Sequence, residues 1–458
     1  METIEGYSEY QIKEAVITSD RISSIGEIDL RKVITDFTIY EHIEKPYLTA
    51  HIAFVDGENV IQDLDFQGGE KLTLTFAHSE ERLSGFDITK EFVIDTIERI
   101  TKADERNEVI TLHCTEYFAF ESSAQNINRS YTGSPTSIIT KILIQYLDKQ
   151  LVSLGEDAIK DMKLIVPNMN PIEACQWIRS NMYTKQGMPY YLYSTMGTKN
   201  LVLQDLGTMI DDTQPINANN PYVYAPSVQS TEVGVQRFYA INRFTYNGGE
   251  DLMSLIRKGY VGAEYSFYDT MTAMPKTIHF DVQNDVFYEL AQSSRFGGDN
   301  KRHVYGSDYR VKDKLLSHHD ARNITSIASS GAFIQENTEN RSFKSQKFGS
   351  EYRRTIVSNA LKNFVRKSPL SISVKSREFI TGDANYTLGR VIRVMFLDNK
   401  QVNGEERPVL DHKKSGDYII FGAKHNFNQG KRADTNLILG RLGSFGGCLL
   451  YTSPSPRD

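Results

Sequence analysis

The alternation of apolar residues predicts a β-rich α+β protein, with a strand-rich unit at each end of the chain and α/β material inserted between them. Three observations carry this reading. In 47–76, Leu48, Ala50, Ile52 and Phe54 share one side of a first run, and Leu72, Leu74 and Phe76 share one side of a second. Thr49, His51, Ala53, Lys71, Thr73 and Thr75 oppose them, and a period of two is that of a strand with one buried face. At Ser134 the period changes to 3.6, with Ile138, Ile139, Ile142, Leu143, Tyr146 and Leu147 on one stripe. From Leu370 onward the period of two returns.

Taken in order, the first 125 residues read as strands at 33–41, 47–55, 70–77, 91–100 and 107–117. Lys45-Pro46, Asp56-Gly57, Gly68-Gly69 and the polar run 102–107 separate them, turn chemistry that predicts hairpins and a meander. Five such strands suit a small closed or nearly closed barrel. Ser134 is placed to cap the first helix, with Pro135 at its first position. Asn170 is placed to cap a second, with Glu173 at the capping-box position and Ile172, Cys175, Ile178 and Met182 at helical spacing. Strands at 190–194 and 200–204, folded around Met196-Gly197, complete a mixed α/β unit.

Beyond it, 238–246 and 263–268 read as strands, with a short helix over 251–258. Segment 286–349 is rich in Ser, Asn, Asp, Lys and Arg with weak periodicity, which suits long surface loops or an insertion. A helical pattern over 351–366 precedes strands at 370–375, 390–397, 417–427 and 435–442, a second β unit. Its element order echoes the first unit, without residue-by-residue self-similarity.

Composition narrows the function. A hydrophobic content of 40% and a charged content of 24% are ordinary for a globular chain, and no apolar run approaches the roughly 18 residues that span a bilayer. The first twenty residues lack the basic flank and apolar stretch of a signal peptide, so synthesis and retention in a cytoplasm are expected. A net charge of −6 argues against a protein that grips nucleic acid along its whole surface. The last eleven residues, CLLYTSPSPRD, resemble the frame-shifted translation of a transposon adapter used in sequencing libraries, so they are set apart as an expected non-native tail. Without them Cys114 and Cys175 remain, with no Cys-x-x-Cys, and both read as buried small hydrophobes.

Catalytic signatures are weak. His318-His319-Asp320 has no third ligand at metal spacing, and adjacent histidines in a strand face opposite ways. Gly248-Gly249 and Gly297-Gly298 lack the Lys-Ser/Thr of a phosphate loop and read as turns. No Gly-x-Ser-x-Gly, His-Glu-x-x-His or Cys-His constellation occurs. No catalytic, cofactor-binding or metal-binding residue is assigned, and no cofactor is expected.

In their order along the chain, DFTIYEHIEKPYLTAHIAFVD, GGEKLTLTF, SPTSIITKIL, PNMNPIEACQWIRSNMY, PYYLYS and DYIIFGAKHNFNQGKRADTNLILGRL resemble the central baseplate hub protein of T-even-like contractile-tailed phages. That fold is shared by the N-terminal part of type VI secretion spike proteins. The resemblance implies two small β-barrel tube-type domains with α/β insertions, placed side by side so that a homotrimer presents six similar units in a ring. It implies a virion structural protein and not an enzyme, assembled in the host cytoplasm into the tail baseplate. The ring would join the hexameric tail tube protein to the trimeric cell-puncturing spike protein, among other baseplate proteins, with DNA passing through its channel without specific binding. The expected domains are 1–125 (first barrel), 126–225 (α/β), 226–285 with 368–447 (second barrel, split), 286–367 (insertion) and 448–458 (non-native tail).

A tube of paired sheets needs one apolar face and one polar face toward an aqueous bore. Thr49 and His51, or Thr73 and Thr75, fit that polar face, and equally fit a plain solvent-exposed sheet. The connector residues Asp56, Glu58, Asp63, Asp65, Gly68, Gly69 and Glu70 are the candidates for a tube interface or an acidic channel wall that does not hold phosphate. An ordinary solvated acidic loop is the other reading of the same residues. Two alternatives for the whole chain stay open: a secretion-type spike lacking its needle domain, and a tail-associated peptidoglycan hydrolase with 286–349 as a degenerate catalytic insert.

Overall fold

The computed structural model describes residues 9–18, 27–57, 68–80, 87–103, 107–158, 161–211, 215–225, 239–246, 252–269, 275–287, 310–328, 350–366, 370–381, 386–402, 405–411, 414–429 and 431–440. Glu58, Asp63, Asp65, both Gly-Gly pairs near 248 and 297, most of 286–349 and the tail 448–458 lie outside these residues.

The first unit contains β1 (Tyr10–Thr18), β2 (Ile28–Asp29), β3 (Ile34–His42), β4 (Thr49–Asp56), β5 (Lys71–His78), β6 (Ile88–Lys102) and β7 (Glu108–Glu116). All five expected strands are present. Strand β1 escapes a pattern search because its register against β5 shifts between Ile12 and Glu14, which breaks the alternation at the bulge.

The pairing departs from a run of hairpins. β4 pairs with β7, and the spatial order is β3-β4-β7-β6-β5-β1. The acidic connector therefore does not close a β4–β5 hairpin. β5, β6 and β7 form a meander whose last strand lies beside β4, a Greek-key arrangement. A connector of this length has no tight-turn geometry to impose neighbouring pairing, so burial of the apolar faces selects the partner.

The α/β unit follows: α1 (Tyr117–Ser123), β8 (Ile127–Gly133), α2 (Pro135–Leu147), β9 (Leu151–Leu154), β10 (Met162–Met169), α3 (Pro171–Ser180), β11 (Tyr190–Tyr193), β12 (Leu201–Asp205) and α4 (Leu206–Asp211). Both expected caps form: Ser134 Oγ accepts from the Ser137 N–H and Asn170 Oδ1 from the Glu173 N–H. Alternate residues of β11 and β12 face two different cores. Tyr190, Leu192, Leu201 and Leu203 join the core of α2 and α3, while Tyr191, Tyr193 and Val202 join the core of the β units. Both strands are buried on both faces, which erases any polar alternation.

The remainder comprises β13 (Tyr222–Tyr224), β14 (Arg243–Tyr246), α5 (Leu252–Arg257), β15 (Gly262–Asp269), β16 (Pro275–Asp281), β17 (Arg310–Val311), β18 (Lys314–Leu315), β19 (Asn323–Ala328), α6 (Ser350–Arg366), β20 (Leu370–Lys375), α7 (Arg377–Ile380), β21 (Val391–Val402), β22 (Glu405–Leu410), β23 (Gly416–Asn428) and β24 (Arg432–Gly440). The small sheet β16-β15-β19 places part of the illegible segment in regular structure.

The two β units are not separate sheets. β23 pairs antiparallel with β3 from Gly422↔His42 to Asn428↔Asp36, so one sheet runs β14-β20-β24-β23-β3-β4-β7-β6-β5-β1-β2. Its far end curls back. Glu9 bridges Arg432, and the Tyr10 N–H donates to the Lys431 carbonyl at 3.1 Å, so β1 returns to the β23–β24 turn. Inside this curl Phe37 stacks on Phe427 at 4.2 Å, with Tyr10 and Phe76 edge-on to both. A single hydrophobic core therefore spans both units.

Candidate functional site: a polar sheet face shared by both β units

Residues that alternate with the core build the opposite face, and their register carries it unbroken across the β3–β23 joint. One row runs Asn426↔Thr38↔His51↔His113↔Thr96 through β23, β3, β4, β7 and β6. A second runs Asn436↔Lys424↔Tyr40↔Thr49↔Thr115. These side chains are half-buried or exposed, whereas their neighbours Phe37, Ile39, Ala50, Ile52, Leu112 and Cys114 are buried. Thr49 and His51 thus stand on an open polar face. Thr73 is half-buried, and Thr75 is buried, its hydroxyl donating to Glu14 and meeting Thr89.

Hydroxyl, amide and imidazole groups dominate this face. His51 Nδ1 lies 2.7 Å from Glu98 Oε2, and His113 Nδ1 lies 3.2 Å from Asp95 Oδ2. The Lys424 ammonium sits over the Tyr40 ring. Among the described residues of these two rows Lys424 is the one lysine or arginine, and Glu98 and Asp95 stand beside the histidines, so the rows present no basic track for phosphate.

The described connector residues lie at the ends of β4 and β5. Asp56 closes β4 opposite Glu108 and is buried, as is Glu70. Gly68 and Gly69 adopt φ of +89° and +91°, a region that favours glycine, and the Gly69 N–H donates to the Ile94 carbonyl at 2.9 Å. The pair turns the chain sharply onto β5 beside β6.

A buried polar junction ties three parts of the chain together, and nothing in the local pattern marks it. Glu41 of β3 accepts from the Thr195 hydroxyl (2.9 Å) and the Met196 N–H (2.7 Å), and its other oxygen lies 3.2 Å from His425 Nε2 of β23. His425 Nδ1 meets the Thr435 hydroxyl at 2.9 Å. Nearby, the Lys90 ammonium donates to the carbonyls of Thr195 (2.8 Å) and Thr198 (2.6 Å), 3.7 Å from Glu116. Burial lowers the Lys90 pKa, against the attraction of Glu116 and Glu41. The Thr435–His425–Glu41 order resembles a hydrolytic relay, but Thr435 and His425 are fully buried, so no substrate reaches the hydroxyl.

His318, His319 and Asp320 disperse: His318 Nε2 faces Asp281, His319 Nε2 meets the Val311 carbonyl, and Asp320 pairs with His279. Among the described residues no group of three or more His, Cys, Asp or Glu side chains is gathered for a metal ion, and no helix is long and apolar enough to cross a membrane. Cys114 and Cys175 are buried, and desolvation raises both thiol pKa values.

No family model matches the chain, and no curated protein matches it in sequence. Among solved structures it is similar to the tail protein from Neisseria meningitidis MC58, at a TM-score of 0.51 and 11% identity over 95% of this chain and 98% of that one. The 43 kDa tail protein of prophage MuSo2 from Shewanella oneidensis gives a TM-score of 0.48 at 8% identity, covering 94% and 98%. The Francisella PdpA-VgrG complex gives 0.43 at 8% identity, covering 94% of this chain and 53% of that one. At such identity the likeness to the Neisseria protein is one of fold, and over nearly its whole length the chain shares the β-rich fold of that tail protein.

Proposed function

We propose that the chain is a non-enzymatic subunit of a contractile phage tail, the baseplate hub that joins the tail tube to the cell-puncturing spike. The observation that carries this is the β3–β23 joint. It sets an N-terminal and a C-terminal β unit edge to edge in one sheet with a continuous polar face. Three copies of such a pair make six similar staves, which reconciles a threefold spike with a sixfold tube. The polar face, without a basic track, is suited to line an aqueous bore through which DNA passes without being held.

The division into two barrel-type domains with α/β insertions belongs to the same reading. So do the roles of Asp56, Glu58, Asp63, Asp65, Gly68, Gly69 and Glu70 at a tube interface or channel wall. The sealed Thr435–His425–Glu41 relay supports a structural role over a hydrolytic one.

Sedimentation at rising concentration, with and without the tail tube and spike proteins, tests the proposal. A species of three times the 52.1 kDa chain mass is expected, with six similar lobes around a channel by electron microscopy. A chain that stays monomeric in every mixture, or that clears purified peptidoglycan, overturns it.

A further inference from the structure

The polar face contains one pair of side chains whose chemistry exceeds that of a passive wall. His51 of β4 and His113 of β7 are direct cross-strand partners, with ring centroids 5.1 Å apart and planes at 76°. Each ring is a third exposed, at 33% and 34%. Each Nδ1 is engaged by a carboxylate, Glu98 for His51 and Asp95 for His113, and Asp95 is itself held by the Thr115 hydroxyl. Neither Nε2 has a hydrogen-bond or ion-pair partner among the described residues.

A carboxylate that accepts from Nδ1–H fixes the ring and leaves Nε2 as the nitrogen available to a metal, which is the arrangement that orients metal-ligating histidines. The spacing agrees. With metal–nitrogen bonds of about 2.0–2.1 Å and a tetrahedral angle, the two ring centres of a chelating pair stand about 5.2 Å apart. The β4–β7 ladder makes the two residues direct cross-strand partners, so the rings stand side by side at the separation that two ligands of one ion require.

We propose that His51 and His113 form a two-imidazole chelate for a divalent transition ion of the zinc, nickel or copper class, with Glu98 and Asp95 as the orienting carboxylates. Two nitrogens leave the other coordination positions open to water or to a donor on another molecule. Imidazole donors select this class over magnesium and calcium, which take oxygen ligands. The site stands whether or not the chain forms a ring.

Calorimetric titration of the full chain with nickel chloride and with zinc chloride reads the site directly, with magnesium chloride as the contrast. One saturable ion per chain is expected with nickel and zinc, and none with magnesium. His51→Asn and His113→Asn each abolish that phase, Glu98→Gln weakens it about 10- to 100-fold, and His318→Asn leaves it unchanged. His51 and His113 are half-buried and Glu98 and His318 exposed, and an unaltered circular dichroism spectrum and melting temperature in the metal-free variants confirm intact folding. Absence of a saturable phase in the unsubstituted chain overturns the proposal, as does a phase that survives the His51→Asn/His113→Asn double substitution.

Discussion

Glu41 is the residue on which the three parts of the chain converge. Burial raises the pKa of its carboxyl, but the hydrogen bond and charge of His425, with the Met196 N–H and Thr195 hydroxyl, outweigh that and hold it below the ordinary 4.5. The unfolded chain then binds more protons here than the folded one, so stability rises with pH across this window. The contribution is complete above the unfolded value of 4.5 and is lost as pH falls through the lower folded value. Acid titration followed by tryptophan and tyrosine fluorescence is expected to show this loss, and Glu41→Gln to remove that part of the pH dependence. The same substitution, by breaking a buried pair, is expected to cost about 3–5 kcal/mol in denaturant unfolding at neutral pH. None of this was readable locally, because Glu41 and His425 are 384 residues apart and each sits in an otherwise ordinary strand.

Among elements, the two capped helices were the most legible and the bulged strand β1 the least. The cap at Asn170 was visible because Asn, Pro and Glu occupy fixed offsets from an apolar stripe. The structure adds that the Ser122 hydroxyl donates to Asn170 Oδ1 and accepts the Ile172 N–H, so the cap also fastens α1 to α3. Asn170→Ala is expected to cost about 0.5–2 kcal/mol in urea denaturation, with the loss concentrated in the amides of α3 by hydrogen exchange. Gly69→Ala, at a φ of +91°, is expected to cost roughly 1 kcal/mol, although a methyl group there meets open space. A neutral result would show that the entry to β5 relaxes freely.

For the whole molecule the decisive contact is between chain ends. Phe427 stacks on Phe37 and meets Tyr10 and Phe76 edge-on, so one ring of the C-terminal unit plugs the core of the N-terminal one. Phe427→Ala is expected to cost about 3–5 kcal/mol and to lower the melting temperature of both units together in calorimetry. If only the C-terminal unit melted earlier, the single shared core would be the wrong description.

Residue spacing alone was enough to state the β-rich character, five strands of the first unit, both capped helices and the polar character of Thr49 and His51, since each depends on neighbours a few positions away. The β4–β7 pairing, the union of the two β units through β3 and β23, the sealed Glu41–His425 junction and the His51–His113 pair lay beyond it. Strand partners are chosen by burying apolar faces together across hundreds of residues, and no local period records which face will meet which.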